Sequence, residues 1–161
     1  MPDAQTERIL VIGIGNEFRR DDGVGIAVAR RLKSELGESA IVLEQSGEGT
    51  DLMNAWEKVA HVIVIDAVSS GAKPGTIHRF SLDDAPNFNT AFRGSTHAFG
   101  LSEAIALSRQ LNRLPEQLLI LGVEGTDFSE GLGFSPSVYM AVDVVVQEVC
   151  ETLKPPMLRQ S

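Results

Sequence analysis

The stretch HVIVIDAV, residues 61–68, is the clearest secondary-structure signal in the chain. Its branched apolar residues follow one another without a polar break from Val62 to Ile65. Such a run predicts a strand buried on both faces, as in the interior of a parallel sheet. Asp66 ends the run and therefore lies at the carboxyl end of the strand, where open α/β sheets bind their ligands.

Short apolar runs alternate with helical patterns on both sides of this stretch. Further strands are predicted over residues 8–13, 40–44, 76–82 and 117–123, with 76–82 at an edge. Helices are predicted over residues 22–36, 51–59 with Thr50 as N-cap, 98–111, and 136 to about 153 after a capping Ser135. This alternation predicts an α/β fold whose mainly parallel sheet is covered by helices on both faces.

Length, net charge and cysteine content restrict the kind of protein and the kinds of binding partner that we expect. With 161 residues we expect a single domain over residues 1–161, with a core over about 8–153 and loose termini. A formal net charge of −8 argues against nucleic acid and anionic membranes as partners. One cysteine, Cys150, and no apolar run near the roughly 18 residues that span a bilayer lead us to expect a cytoplasmic protein.

The segment GIGNEFRRDDGVG, residues 13–25, resembles a glycine-rich nucleotide turn. Gly13 and Gly15 fit the dinucleotide fingerprint, but Phe18 occupies the position of its third glycine. Glu44 ends the second predicted strand, where an acid that binds a ribose would lie. A nucleotide-binding domain of the oxidoreductase class that uses Gly13, Gly15 and Glu44 is therefore one alternative.

Two adjacent acids weaken that alternative. Asp21 and Asp22 place negative charge at the start of a helix, where a pyrophosphate would otherwise bind. One of them can cap the helix and complement its dipole while the other points elsewhere. The sequence leaves open which acid does which.

Other polar residues are expected at the same sheet edge. Asp66 follows its strand, and His97 in STHAFG precedes the 98–111 helix. Two carboxylates and one imidazole are typical ligands of a divalent transition metal with open positions. His61 begins a strand and His78 lies within one, so we expect both to lie away from this site.

Four segments together resemble the nickel–iron hydrogenase maturation endopeptidases: GIGNEFRRDDGVG, VIVIDAV, STHAFGLSEAI and ILGVEGTDFSEGLGFSPSV. The resemblance extends from about Arg8 to Glu151. It implies a three-layer α/β/α sandwich with a twisted five-stranded sheet. It also implies an endopeptidase that removes the C-terminal extension of the hydrogenase large-subunit precursor after nickel has been inserted.

By motif, the resemblance implies a metal-binding triad of Asp22, Asp66 and His97. The first ligand is often glutamate in the family, and Asp21 stays open as an alternative to Asp22. The nickel is carried by the substrate, and no tightly bound cofactor of the protein's own is expected. Asp22 and Asp66 are the candidate catalytic residues, either by holding the metal or by activating water directly.

The resemblance also implies a substrate-selecting loop after the second strand. Many members carry Asp-Gly-Gly-Thr there, whereas this chain has EQSGEGT, which places the loop at Gly47, Glu48, Gly49 and Thr50. The change bears on which hydrogenase is served. A non-catalytic nickel chaperone or sensor with the same three ligands is the alternative function.

Overall fold

The computed structural model describes residues 8–82 and 100–153. Its strands are β1 (Ile9–Ile14), β2 (Ala40–Gln45), β3 (His61–Val68), β4 (Ile77–Phe80) and β5 (Gln117–Glu124). Its α-helices are α1 (Val24–Leu36), α2 (Gly49–Trp56), α3 (Leu101–Gln110) and α4 (Pro136–Leu153). Short 3-10 turns at Arg20–Gly23 and Gly37–Ser39 flank α1.

The strands form one five-stranded sheet in the order β2-β1-β3-β5-β4. Neighbouring strands are parallel from β2 through β5, and among the strands of the described residues only the β4–β5 pair is antiparallel. The strand over residues 61–68 is central and the strand at Ile77–Phe80 is at an edge. The predictions of a mainly parallel sheet and of these two strand positions are confirmed.

Two apolar cores lie on opposite faces of the sheet. On one face Trp56 and Leu52 of α2 pack with Ala104 of α3, and the Trp56 Nε1 donates to Ser108 Oγ at 3.1 Å. On the other face Val28 of α1 packs with Val145 of α4. Each fully buried side chain of this size contributes about 1.5–3 kcal/mol. The predicted α/β/α layering is confirmed.

The start of α2 differs from the sequence prediction. Thr50 does not cap a helix over 51–59. Instead Glu48 is the N-cap, and its carboxylate accepts hydrogen bonds from the backbone N–H groups of Thr50 and Asp51 at 3.2 and 3.1 Å. The longer acid satisfies two N–H donors of the first turn, so the helix begins two residues earlier than predicted.

Two glycines bring α1 unusually close to the sheet. A Cβ atom on Gly13 would lie 2.2 Å from the carbonyl oxygen of Gly25. A Cβ atom on Gly25 would lie 2.3 Å from the Ile14 oxygen and 2.5 Å from the Ile65 oxygen. The start of α1 therefore lies across the carboxyl ends of β1 and β3, and the turn that carries Asp21 and Asp22 lies at the same edge as Asp66.

Several expectations fall on parts of the chain outside the described residues. These are the loose termini, His97 and the first residues of the 98–111 helix. Within residues 8–82 and 100–153, none of the helices combines the length and apolarity that a bilayer crossing requires.

Candidate active site

A cavity of about 670 Å³ opens at the carboxyl edge of the sheet. The loop after β1 contributes Asp22 to its wall, and the end of β3 contributes Asp66. Gln45 and Gly47 line it from the loop after β2. The structure thus brings together two of the three predicted metal ligands at the edge where α/β sheets bind ligands.

The carboxyl group of Asp66 has an unusual environment. Burial raises its pKa well above the ordinary range, and the negative charge of Asp22 raises it further. A hydrogen bond from the Ala67 N–H to Asp66 Oδ1, at 2.8 Å, acts in the opposite direction but is outweighed. Two ionised carboxylates in this cavity therefore disfavour each other, and a proton or a cation relieves that repulsion.

Asp22 is held by the loop that precedes it. Its Oδ2 accepts a hydrogen bond from the backbone N–H of Asn16 at 3.0 Å. Gly15 makes this turn possible, because its φ is +154° and a Cβ there would lie 2.0 Å from the Asp22 carbonyl oxygen. The glycine turn thus allows the backbone to pass closely and presents a carboxylate to the cavity.

Asp21 is turned away from the cavity and is fully buried. Its carboxylate accepts four hydrogen bonds, from the backbone N–H groups of Thr126, Asp127 and Ser135 and from the Ser135 hydroxyl, at 2.7–2.9 Å. Burial is the largest single influence and raises the pKa of Asp21, but the four hydrogen bonds together lower it below its usual range. Asp21 therefore anchors the loop between β5 and α4.

The histidines are distributed as follows. His97 lies outside the described residues. His61 Nδ1 hydrogen-bonds Gln117 Oε1 at 2.8 Å at the opposite end of β3, and His78 Nε2 hydrogen-bonds Glu124 Oε1 at 3.0 Å. Neither lines the cavity. In the described part of the chain, no three His, Cys, Asp or Glu side chains form a cluster suited to a metal ion.

Sequence reasoning overlooked Glu124, which is almost fully buried. It accepts hydrogen bonds from the Ser70 N–H and hydroxyl at 2.8 and 2.6 Å, in addition to its contact with His78. Burial raises the pKa of Glu124, but Ser70 and His78 outweigh it and the pKa lies below its usual value. The sequence signal that could have identified Glu124 is its position as an acid at the end of the buried strand QLLILGVE.

The contacts of Glu44 at the cavity rim argue against the role considered for it in nucleotide binding. Arg30 donates to Glu44 Oε1 at 3.2 Å and to both carboxylate oxygens of Glu17 at 2.8 and 3.1 Å. One oxygen of Glu44 is therefore engaged by an arginine at the place where a ribose would bind. Gly13, in turn, serves the close contact with Gly25.

The proposed selecting loop is only partly at the cavity. Gly47 lines the wall, with its φ at +98°. Glu48 caps α2, and Gly49 and Thr50 belong to the first turn of that helix. Phe128 also lines the cavity, whereas Phe134 packs on the core.

Known proteins are similar to this chain in both architecture and sequence. The family model "HycI: Hydrogenase maturation protease" matches residues 26–152. The HupD hydrogenase expression/formation protein of Thiocapsa roseopersicina is 30% identical over 150 residues, which cover 86% of this chain and 68% of that protein. The chain belongs to the hydrogenase maturation protease family. This confirms the resemblance found in the sequence.

Two further comparisons agree with the family assignment. The Hydrogenase 2 maturation protease of Escherichia coli is 26% identical over 150 residues, covering 91% of each chain. The structure of the hydrogenase maturating endopeptidase HybD from E. coli superposes with a TM-score of 0.77 at 25% identity, again covering 91% of both chains. Members of the family are endopeptidases that process the C-terminus of the hydrogenase large subunit, and this chain is such an enzyme. The non-catalytic alternative is not favoured.

Proposed function

We propose that this protease recognises its precursor by the nickel ion that the precursor carries. The observation that supports the proposal is the pair Asp22 and Asp66, which line one cavity and whose negative charges repel each other. A divalent cation delivered by the substrate neutralises that repulsion when it binds. Nickel is thus part of the substrate, and the enzyme needs no tightly bound cofactor of its own.

Two carboxylates leave most coordination positions of the ion for other ligands. We propose His97 as the third protein ligand on the strength of its motif, and the precursor's own side chains as the others. Because the protein supplies so few ligands, it binds a free divalent ion weakly. It binds the ion firmly only when a precursor completes the coordination.

Nickel held in this way aligns the scissile bond with the cavity and polarises its carbonyl group. A second mechanism is favoured by the raised pKa of Asp66, since a carboxylate with a raised pKa is a stronger base for water activation. In that mechanism the metal only positions the substrate. Either way Asp22 and Asp66 are the proposed catalytic residues.

The loop over 47–50 is proposed to select the hydrogenase that is served. Gly47 lines the cavity, and α2 follows directly, so a change of sequence here alters the wall that a precursor meets.

The lone Cys150 fits a reducing compartment, and we propose that the reaction takes place in the cytoplasm.

Titration of cadmium or zinc into metal-stripped protein tests the proposed ligand pair. The wild-type protein should be purified largely metal-free and should bind the ion weakly, with release of a proton. Asp22→Asn and Asp66→Asn should bind at least about tenfold more weakly. Unchanged binding by both variants, compared with the exposed control Asp143→Asn, would remove these carboxylates from the site.

A further inference from the structure

A second cavity of about 500 Å³ adjoins the one that holds Asp22 and Asp66. The two share Asn16, Phe18, Arg19 and Phe128 as wall residues, so they form one continuous depression. The second cavity extends from these residues to the loop over 129–132. A protein substrate that reaches the two acids therefore has a continuous path into this region.

The second cavity has an apolar rim that is open to solvent. Phe18 is 63% exposed and Leu132 is 67% exposed, and both line it. The loop that carries Phe18 is paired with the loop that carries Leu132, since the Gly131 N–H donates to the Phe18 carbonyl oxygen at 2.8 Å. Both apolar side chains are thus presented by a backbone that is fixed by hydrogen bonds.

Two adjacent arginines in this loop have different surroundings. Arg20 braces the opposite loop: its Nη1 donates to the Leu132 carbonyl oxygen at 3.1 Å, and its Nε lies 3.8 Å from an Asp127 oxygen. Among the described residues Arg19 has one side-chain hydrogen-bond partner, the Phe128 carbonyl oxygen, to which its Nε donates at 3.2 Å. Within residues 8–82 and 100–153 no acid forms an ion pair with Arg19.

We propose that Phe18, Arg19 and Leu132 form a substrate subsite that holds the precursor chain beside the scissile bond. An apolar side chain of the precursor packs against Phe18 and Leu132. Guanidinium N–H groups of Arg19 other than the one bonded to Phe128 donate to backbone carbonyl oxygens of the same extended segment. An acidic precursor side chain is disfavoured there, because a carboxylate would lose solvation against Phe18 and Leu132 and because Glu130 lines the same cavity.

The subsite rests on the proposed function. Steady-state cleavage of nickel-loaded precursor distinguishes a failure of the subsite from a failure of the proposed function. We expect Leu132→Ser and Arg19→Ala each to raise KM by about tenfold, because each loses one apolar or hydrogen-bonded contact with the substrate. The kcat value should change by less than about threefold, since neither residue acts on the reacting carbonyl.

Matched controls are available elsewhere on the chain. Met140 is 70% exposed on α4, and Arg109 donates one hydrogen bond to the Leu82 carbonyl oxygen; neither lines the cavities. Met140→Ser and Arg109→Ala should leave KM unchanged. Because Leu132 is exposed, its variant stays folded even where the Arg19 variant loses its bond to Phe128.

A precursor with an acidic residue in place of the apolar one next to the scissile bond completes the test. Its KM should rise on the wild-type enzyme but rise less on Leu132→Ser, so that the two changes are coupled. A KM for Leu132→Ser and Arg19→Ala within about twofold of the two controls would overturn the subsite while cleavage itself stands. If the wild-type enzyme leaves the nickel-loaded precursor uncut, the proposed function is wrong.

Discussion

Asp21 and Asp22 are neighbours in sequence but have opposite surroundings. Asp21 is buried among four hydrogen-bond donors that lower its pKa, and it holds the loop between β5 and α4. Asp22 lines the cavity, and its charge helps to raise the pKa of Asp66 across that cavity. A carboxylate whose oxygens accept several hydrogen bonds stabilises a fold. Two carboxylates that repel each other favour the binding of a cation or a proton instead.

The largest expected effect follows substitution of the cavity acids. Asp66→Asn and Asp22→Asn should each slow precursor cleavage by about a thousandfold, because several kcal/mol of transition-state stabilisation depend on the pair. The variants should remain folded, and Asp66→Asn should unfold at the same temperature as the wild type or higher. Cleavage at a near wild-type rate by either variant would show that the pair is not catalytic.

Asp21 should show the reverse pattern. Asp21→Ala leaves four donors without their acceptor in a buried place, so we expect the free energy of unfolding to fall by about 3 kcal/mol. Chemical denaturation of the variant and the wild type measures this loss. The control is Asp143→Ala, whose carboxylate is exposed and pairs with Arg31, and it should cost less than about 1 kcal/mol. A loss for Asp21→Ala as small as that of the control would contradict an anchoring role.

Much of the fold could be predicted because its signals are local. The run from Val62 to Ile65 is apolar at every position, which identified the central strand, and the order of strands and helices then indicated the layering. The start of α2 was missed because Glu48 reaches two N–H groups in place of Thr50. Capping depends on side-chain geometry that composition and periodicity do not contain.

The site was predicted less completely, for a physical reason. That Asp66 and the glycine loop meet at one edge follows from strand direction alone. The different surroundings of Asp21 and Asp22 depend on the loop over 126–135, which binds Asp21 and lies more than 100 residues away in the chain. The burial of Glu124 likewise depends on Ser70 and His78, which come from two other segments.

The smallest expected effect is a difference in the pH dependence of stability. The pKa of Glu124 is lowered, so its ionised form stabilises the fold above its unfolded-state pKa, and this contribution is lost as pH falls through the folded-state pKa. Glu124→Gln should cost about 1–2 kcal/mol at neutral pH and less as the pH approaches about 3.

Asp66 should give the opposite slope. Its pKa is raised, so ionised Asp66 costs stability at a pH above its folded-state pKa. This cost shrinks as the pH falls below that value and is gone once the pH is below the unfolded-state pKa. Any stability that Asp66→Asn gains over the wild type should therefore vanish on acidification. Urea denaturation at a series of pH values measures both differences, and slopes of the same sign would contradict the contrast between satisfied and repelling acids.

The most direct test of the account compares one precursor in two states. Metal-stripped enzyme is mixed with nickel-loaded and with nickel-free large-subunit precursor, and loss of the C-terminal peptide is followed by mass spectrometry. The account predicts that only the nickel-loaded precursor is cut, because Asp22 and Asp66 hold it through the ion. Equal cutting of the nickel-free precursor would contradict recognition through nickel and leave direct acid–base hydrolysis by the two carboxylates.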